Sequence, residues 1–358
     1  MNTSEYQQGF QDLYSEIYRD YYQFEENVLL HSRNFMMRNL NAFGLNQATT
    51  ERGGLRILNI GTGRETVNFH KLGAGKIFHF DLSELAVAAI SNYIQKNNIK
   101  NIITERKDIC TSGGLSLTEP IDFVYMHGII NHLRDANQAY TNILPNLNEG
   151  GRIFISNYRS GSFVFFVVDF VRKIVSLSEM EKTRSVFKKI FPDLYIAPLQ
   201  LTNTSGDHNE QFHSLFSCAW DDFFAPVVSL YNSRQLHSFF SEAGFLSLPD
   251  SDSFFGDYNH DQNDRFFQNP LYYFVRDKIR MPEITLEPVD QLNIDYKEKF
   301  IHSTVAEMRR IIDRSEQMDD ERRIELALKV YEFAQNVEGV SGLDRHEHLR
   351  KILKQYSD

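Results

Sequence analysis

The run Leu55-Arg56-Ile57-Leu58-Asn59-Ile60-Gly61-Thr62-Gly63-Arg64-Glu65-Thr66 constrains this chain more than any other stretch. Its first six residues, four of them apolar, read as a buried strand. Gly-X-Gly follows at once, and a helical pattern runs from Glu65 to Leu72. Strand, glycine turn and helix in that order open a nucleotide-binding βαβ unit. The glycines let the backbone turn tightly and come close to a ligand. Asp81 stands twenty residues past Gly61, after a second short strand, 76–80. A carboxylate there can accept hydrogen bonds from both hydroxyls of a ribose.

The alternation continues. Ser83 is placed to cap a helix from Glu84 to Lys96. A third strand, 101–106, ends in Lys107-Asp108-Ile109, and a fourth, 122–126, is followed by His127-Gly128. A helix over 135–147 ends before Asn148-Glu149-Gly150-Gly151, and a fifth strand follows at 152–156. Strands and helices alternating over short loops imply a parallel, doubly wound α/β sheet. Ligands of such sheets bind at the carboxyl ends of the strands. Those ends carry Gly61, Gly63, Asp81, Asp108, His127, Gly128, Asn157 and Tyr158.

The segments ILNIGTGRET, FHFDLSELA, ERKDI, DFVYMHGIINHLRD and LNEGGRIFISNY occur in that order between residues 57 and 158. Together they resemble the class I S-adenosylmethionine-dependent methyltransferases of small-molecule type. The resemblance implies a Rossmann-like seven-stranded sheet with an inserted lid and a C-terminal helical appendage. It implies S-adenosyl-L-methionine as cofactor, with Gly61, Thr62 and Gly63 beside its methionine part. Asp81 and Leu82 would meet the ribose, and Asp108 and Ile109 the adenine. His127 and Gly128 would lie near the sulfonium, and Asn131 near the acceptor. Two positions depart from the pattern. Asn59 stands where many members carry an acid, and Arg64-Glu65 replaces a third glycine. A nicotinamide-binding fold matches less well, because Thr66 stands where its third glycine would be.

Around that core, residues 1–54 read as a tyrosine-rich helical cap, with Tyr21 reaching the cofactor or merely packing. The core runs over 55–157. Residues 158–220 read as an insertion, and by analogy with the family such an insertion is a lid that decides the acceptor. Within it a charged helix, 178–190, is expected to end at Phe191-Pro192. Residues 221–280 return to the sheet, with Ser233 capping a helix over 234–243 and strands at 245–248 and 271–276. Residues 281–358 are a helical extension that packs on the core, covers the pocket or forms a homodimer.

Methyl transfer from a sulfonium is a direct displacement, so the acceptor must be held in line and, if protonated, relieved of its proton. His127 is the first candidate base, with Tyr158 and Asp222 behind it. Asn131, Tyr231 and Arg234 are candidates for holding the acceptor. Each has a plainer reading: His127 shaping the cofactor loop, Asp222 forming a turn, Arg234 solvated on a helix. His132 reads as a helix-start residue. No third ligand stands near His127 and His132, so no metal site is expected.

The formal net charge of −10 argues against broad contact with a nucleic-acid backbone. The longest apolar run, 163–170, is too short to span a bilayer. Two distant cysteines and a polar N-terminus point to a cytoplasmic protein. The 29 Phe and 17 Tyr serve a core or line a pocket for an apolar or aromatic acceptor. The residues leave rivals open: a catalytically silent S-adenosylmethionine-binding scaffold, a non-methylating user of the cofactor, or a methyltransferase of protein or RNA.

Overall fold

A computed structural model describes residues 3–17, 24–46, 48, 50–51, 54–61, 63–158, 160–176, 180–202, 208–248, 268–337 and 340–357. These fall into two compact units. The first takes the described residues of Met1–Arg159, Pro226–Gly256 and Gln268–Pro288, and the second those of Ser160–Ala225 and Val289–Asp358.

The first unit is built on a seven-stranded sheet. Its strands are β1 (Arg56–Ile60), β2 (Lys76–Asp81), β3 (Ile102–Arg106), β4 (Ile121–Met126), β5 (Leu147–Tyr158), β6 (Phe245–Ser247) and β7 (Gln268–Val275). They lie in the order β3-β2-β1-β4-β5-β7-β6. β1 to β5 run parallel, and β7 is antiparallel to both its neighbours. The expected doubly wound sheet is present, and alternation along each strand explains it. Leu58, Phe78, Val124 and Ile153 join one buried cluster, while Ile57, Ile77, Phe123 and Phe154 join another. A sheet apolar on both faces must be covered on both.

Helices supply the covers. On one face lie α2 (Glu26–Ala42), α3 (Gly63–Lys71) and α4 (Glu84–Lys96), through Leu29, Met36, Leu40, Val67, Phe69 and Ile90. On the other lie α5 (Ala136–Ile143) and, later in the chain, the helix Ser233–Glu242, through Tyr140, Ile143, Leu236 and Phe240. Ser83 caps α4 as expected, accepting from the Ala86 N–H. The Ser233–Glu242 helix is capped by Asn232 rather than Ser233, through an Asx turn to the Arg234 N–H. The Glu-Gly-Gly segment lies inside β5, which begins at Leu147. Gly150 takes φ +70°, and the pairing with β4 shifts register between Ile121 and Phe123.

The N-terminal helix α1 (Thr3–Ile17) belongs to the same unit. The Tyr6 hydroxyl donates to the His132 carbonyl (2.7 Å), and Gln11 Nε2 donates to Glu84 Oε2 (3.2 Å). Those anchors follow β4 and β2, the two neighbours of β1. The helix is therefore tied to the segments that follow the carboxyl ends of β4 and β2.

The second unit is helical among its described residues. It contains α6 (Phe163–Val175), α7 (Met180–Thr202), α8 (His208–Phe224) and, numbering the Ser233–Glu242 helix α9, then α10 (Lys299–Ser315), α11 (Asp320–Gln335) and α12 (Gly342–Lys354). α6 is apolar almost all round, as a central helix must be. It packs on α8, α10 and α11. Its polar face docks the segment entering the C-terminal helices. Lys173 bridges Asp169 (2.8 Å) and Asp290 (3.0 Å), and Gln291 N–H donates to Asp169 Oδ2 (2.9 Å). Insertion and C-terminal segment thus form one body. α7 runs through Pro192, where a break was expected. Proline removes one helical N–H, but Phe187 and Phe191 just before it are fully buried and stacked, and that burial holds the axis.

Candidate active site

Gly61 ends β1 with φ +111°, a conformation that L side chains avoid. A Cβ there would stand 2.7 Å from Ile129 Cδ1. Its N–H donates to the Phe80 carbonyl (3.1 Å), and its own carbonyl lies 2.8 Å from His79 Nε2. A carbonyl only accepts, so Nε2 carries the hydrogen. Burial pushes His79 down to about 4, which keeps the ring neutral and leaves Nδ1 to accept from the Thr104 hydroxyl (2.7 Å). His79 therefore braces the glycine turn against β3. No local pattern singles it out in the sequence.

Gly63 begins α3 where that helix crosses α4. A Cβ would meet Ile90 Cγ1 and Cδ1 at 2.3 Å. Gly63→Ala is expected to destabilise the protein by about 1–3 kcal/mol through overpacking, read as a lowered urea midpoint at unchanged slope. Asn59, the departure noted in the sequence, donates through Nδ2 to Thr66 Oγ1 (2.9 Å), both groups buried. Here the amide clamps the first turn of α3 onto β1. Glu65 is also buried. Its Oε1 accepts from Ser32 Oγ (3.1 Å) and lies 3.7 Å from His127 Nδ1.

Asp81 closes β2. Ser83 N–H donates to Oδ1 (2.7 Å), and the Leu82 N–H assists. No described side chain bonds to it. Burial pushes its carboxyl up to about 7, against these two backbone donors. It is a half-buried acceptor with spare lone pairs beside a glycine cradle, and this fits a ribose diol. Leu82 stands next to it and accepts from Arg106 through its carbonyl (3.1 Å).

Asp108 is more occupied. Cys110 N–H donates to Oδ1 (2.8 Å) and Arg134 Nε to Oδ2 (3.1 Å), with the side chain 4% exposed. Each oxygen keeps one further lone pair for another donor. Ile109 is buried in the core cluster. Burial pushes the Cys110 thiol up to about 12, so it is no nucleophile.

Beyond β4, His127 and Gly128 (φ +66°) are half-buried at the carboxyl edge. Asn131 is fully buried and structural in its contacts. It donates to Asn157 Oδ1 (3.2 Å) and the Ser229 carbonyl (2.6 Å), and accepts from the Tyr158 N–H (2.8 Å). His132 lies in a short 3₁₀ turn, near the helix start expected of it, but its ring has a second engagement. Nδ1 faces the Val227 carbonyl (3.0 Å), so Nδ1 carries a hydrogen. That tautomer leaves Nε2 to accept from the Tyr158 hydroxyl (3.2 Å). Tyr231 is buried in the core, its hydroxyl pushed up to about 12 by burial. Arg234 is exposed on α9.

Asp222 belongs to the second unit, near the end of α8 rather than in a turn. Tyr331 donates to its Oδ2 (2.7 Å), and burial pushes it up to about 7. Its folded value exceeds the unfolded value of about 3.9. Its ionisation therefore costs stability as pH rises from about 4 through 7. Asp222→Asn is expected to flatten the fall of the thermal midpoint between pH 5 and 8. An equally steep fall in the variant would show that other groups cause it. Tyr21 and Thr62 lie outside the described residues. Among the described residues no group of three His, Cys, Asp or Glu side chains could hold a metal, and no helix is long and apolar enough to cross a membrane.

Residues 51–223 match the family model described as a methyltransferase domain. That match and the strand order agree with the class I S-adenosylmethionine-dependent methyltransferase fold that the resemblance implied. Among solved structures, PKMT2 from Rickettsia typhi is 17% identical over 60% of this chain and 43% of that one, with a TM-score of 0.43. An S-adenosylmethionine-dependent methyltransferase from Mesorhizobium loti is 25% identical over 31% and 49%, at 0.26. An O-methyltransferase from a trans-AT polyketide synthase multienzyme of Brevibacillus brevis, in complex with S-adenosyl-L-homocysteine, is 18% identical over 35% and 41%, at 0.31. The chain spans less than two thirds of each. No curated protein matches it.

Proposed function

We propose that the chain transfers a methyl group from S-adenosylmethionine to a small-molecule acceptor, with Tyr158 and His132 receiving the acceptor's proton. The observation that carries this reading is Asp81, a half-buried carboxylate met, among the described residues, by backbone donors alone, beside the Gly61 turn. A ribose diol offers the two hydroxyl donors it lacks. Gly61, Gly63 and Thr62 would border the methionine end, Asp108 and Ile109 the adenine, and His127 and Gly128 the sulfonium. The cofactor supplies, when bound, an electrophilic methyl group. Lining up the acceptor and moving its proton fall to the protein.

Tyr158 sits at the end of β5 with Asn131 fixing its backbone and His132 Nε2 poised for its proton. An acceptor hydroxyl gives its proton to the Tyr158 oxygen as the phenol proton passes to Nε2. The imidazolium that results keeps its Nδ1–H on the Val227 carbonyl. The net charge of −10 supports a small acceptor over nucleic acid, and the two free cysteines support a reducing cytoplasm.

The test is incubation of the full chain with S-adenosylmethionine and a panel of hydroxyl, amine and thiol acceptors, read by mass spectrometry. S-adenosylhomocysteine formed in step with a methylated acceptor supports the proposal. Methylthioadenosine would mean that another group of the cofactor is transferred. Tight binding without turnover would leave a silent scaffold.

A further inference from the structure

Arg184 of α7 lies over a buried aromatic cluster of α7 and α8 and finds no acceptor among the described residues. Arg184 is half-buried on α7 and makes no hydrogen bond or ion pair with any described residue. Its Nε is buried without an acceptor. The guanidinium carbon lies 5.9 Å from the ring centre of Trp220 and 5.8 Å from that of Phe224. One turn further along α7, Lys188 places its Nζ 5.0 Å from the same indole. Trp220 is fully buried, and its Nε1–H also lacks an acceptor. Phe187 and Phe216 flank it at 5.4 and 5.3 Å.

Each of these facts is costly for the chain alone. A buried N–H without an acceptor costs about 1–3 kcal/mol. A guanidinium carries five donors in a rigid fork suited to two oxygens at once. Two buried donors lie at one aromatic cluster, with a second cation beside them, and the described residues provide no acceptor for either.

We propose that this face of the helical unit binds a small carboxylate carried on an aromatic or aliphatic body. The Arg184 fork takes the two oxygens and Lys188 adds charge, while the buried Trp220 ring beneath them senses the change. The half-buried Phe216 ring, stacked on Trp220, meets the apolar body of the ligand. A planar carboxylate matches the fork and sheds its water more readily than a phosphate dianion beside such a ring. This site lies wholly within α7 and α8 and stands independently of the methyl-transfer reading.

Trp220 is the one tryptophan of the chain, so its indole N–H resonance and its fluorescence report this site alone. The full chain is titrated with sodium benzoate at constant ionic strength. The expected result is a saturable shift of the indole N–H, at least ten-fold weaker in affinity in Arg184→Gln and absent with benzamide. Arg184→Lys keeps the charge without the fork and is expected between the two; it carries the test if Arg184→Gln does not fold. A non-saturating response, equal affinity in both variants and wild type, or saturation by inorganic phosphate but not by benzoate would overturn the proposal.

Discussion

Asp81→Ala is expected to weaken S-adenosylmethionine binding by roughly 10²–10⁴-fold without lowering stability at pH 8. Each hydrogen bond to a charged group contributes about 1.5–3 kcal/mol. Two ribose hydroxyls then account for about 3–6 kcal/mol, and each 1.4 kcal/mol is about ten-fold. Stability moves differently, because burial holds the Asp81 carboxyl near pKa 7 in the folded chain. That is above the unfolded value of about 3.9, so the folded state binds more protons between the two. Stability contributed by this group is present at low pH and is lost as pH rises through about 7. Alanine removes that loss along with the ribose contacts.

The same shift makes binding pH-dependent in the wild type. Ribose hydroxyls donate to the carboxylate and not to the acid, so the complex favours the ionised form. Affinity therefore tightens as pH rises toward and through 7, by up to about ten-fold per unit below it. Calorimetry in two buffers of unlike ionisation enthalpy would detect the proton released on binding. Affinity that is flat from pH 6 to 8, with no proton released, would remove Asp81 from the ribose site.

Tyr158→Phe is expected to lower the methyl-transfer rate by about 10²–10⁴-fold, the range for loss of a positioned proton acceptor. Cofactor affinity should stay within about two-fold, since the ring and its backbone bond to Asn131 remain. The variant also leaves His132 Nε2 without its partner at 3.2 Å, a cost of about 1–3 kcal/mol in stability. Single-turnover rates beside calorimetric affinities separate these effects. Turnover that survives unchanged would return Tyr158 to a packing role. A loss that is large for a hydroxyl acceptor and small for a thiol would confirm that proton removal is the step affected.

Reading the chain without its structure succeeds where the signal is local. β1, its glycine turn, Asp81 at the end of β2 and the Ser83 cap all lie within a few residues of the pattern that announces them. Strand β7 overlaps the expected 271–276 but begins earlier, at Gln268, and ends at Val275. Misreadings occur where two local signals compete or where burial overrules one. Asn232 outcompetes Ser233 as the cap, and the buried Phe187 and Phe191 carry α7 through Pro192.

His132 shows the harder limit. Its partners, the Val227 carbonyl and the Tyr158 hydroxyl, lie 95 and 26 residues away in the chain. Asp222 meets Tyr331 across 109 residues, and Gln291 meets Gly161 across 130. The amino-acid sequence by itself determined the order of strands and helices, the glycine turn and the acid that follows it. Side-chain periodicity and the φ freedom of glycine act over a few residues. Only the tertiary structure decided that the insertion and the C-terminal helices share one core, that an amide at position 59 clamps α3, and that His132 backs Tyr158. Those pairings depend on which distant surfaces pack together, and no single stretch of chain carries that information.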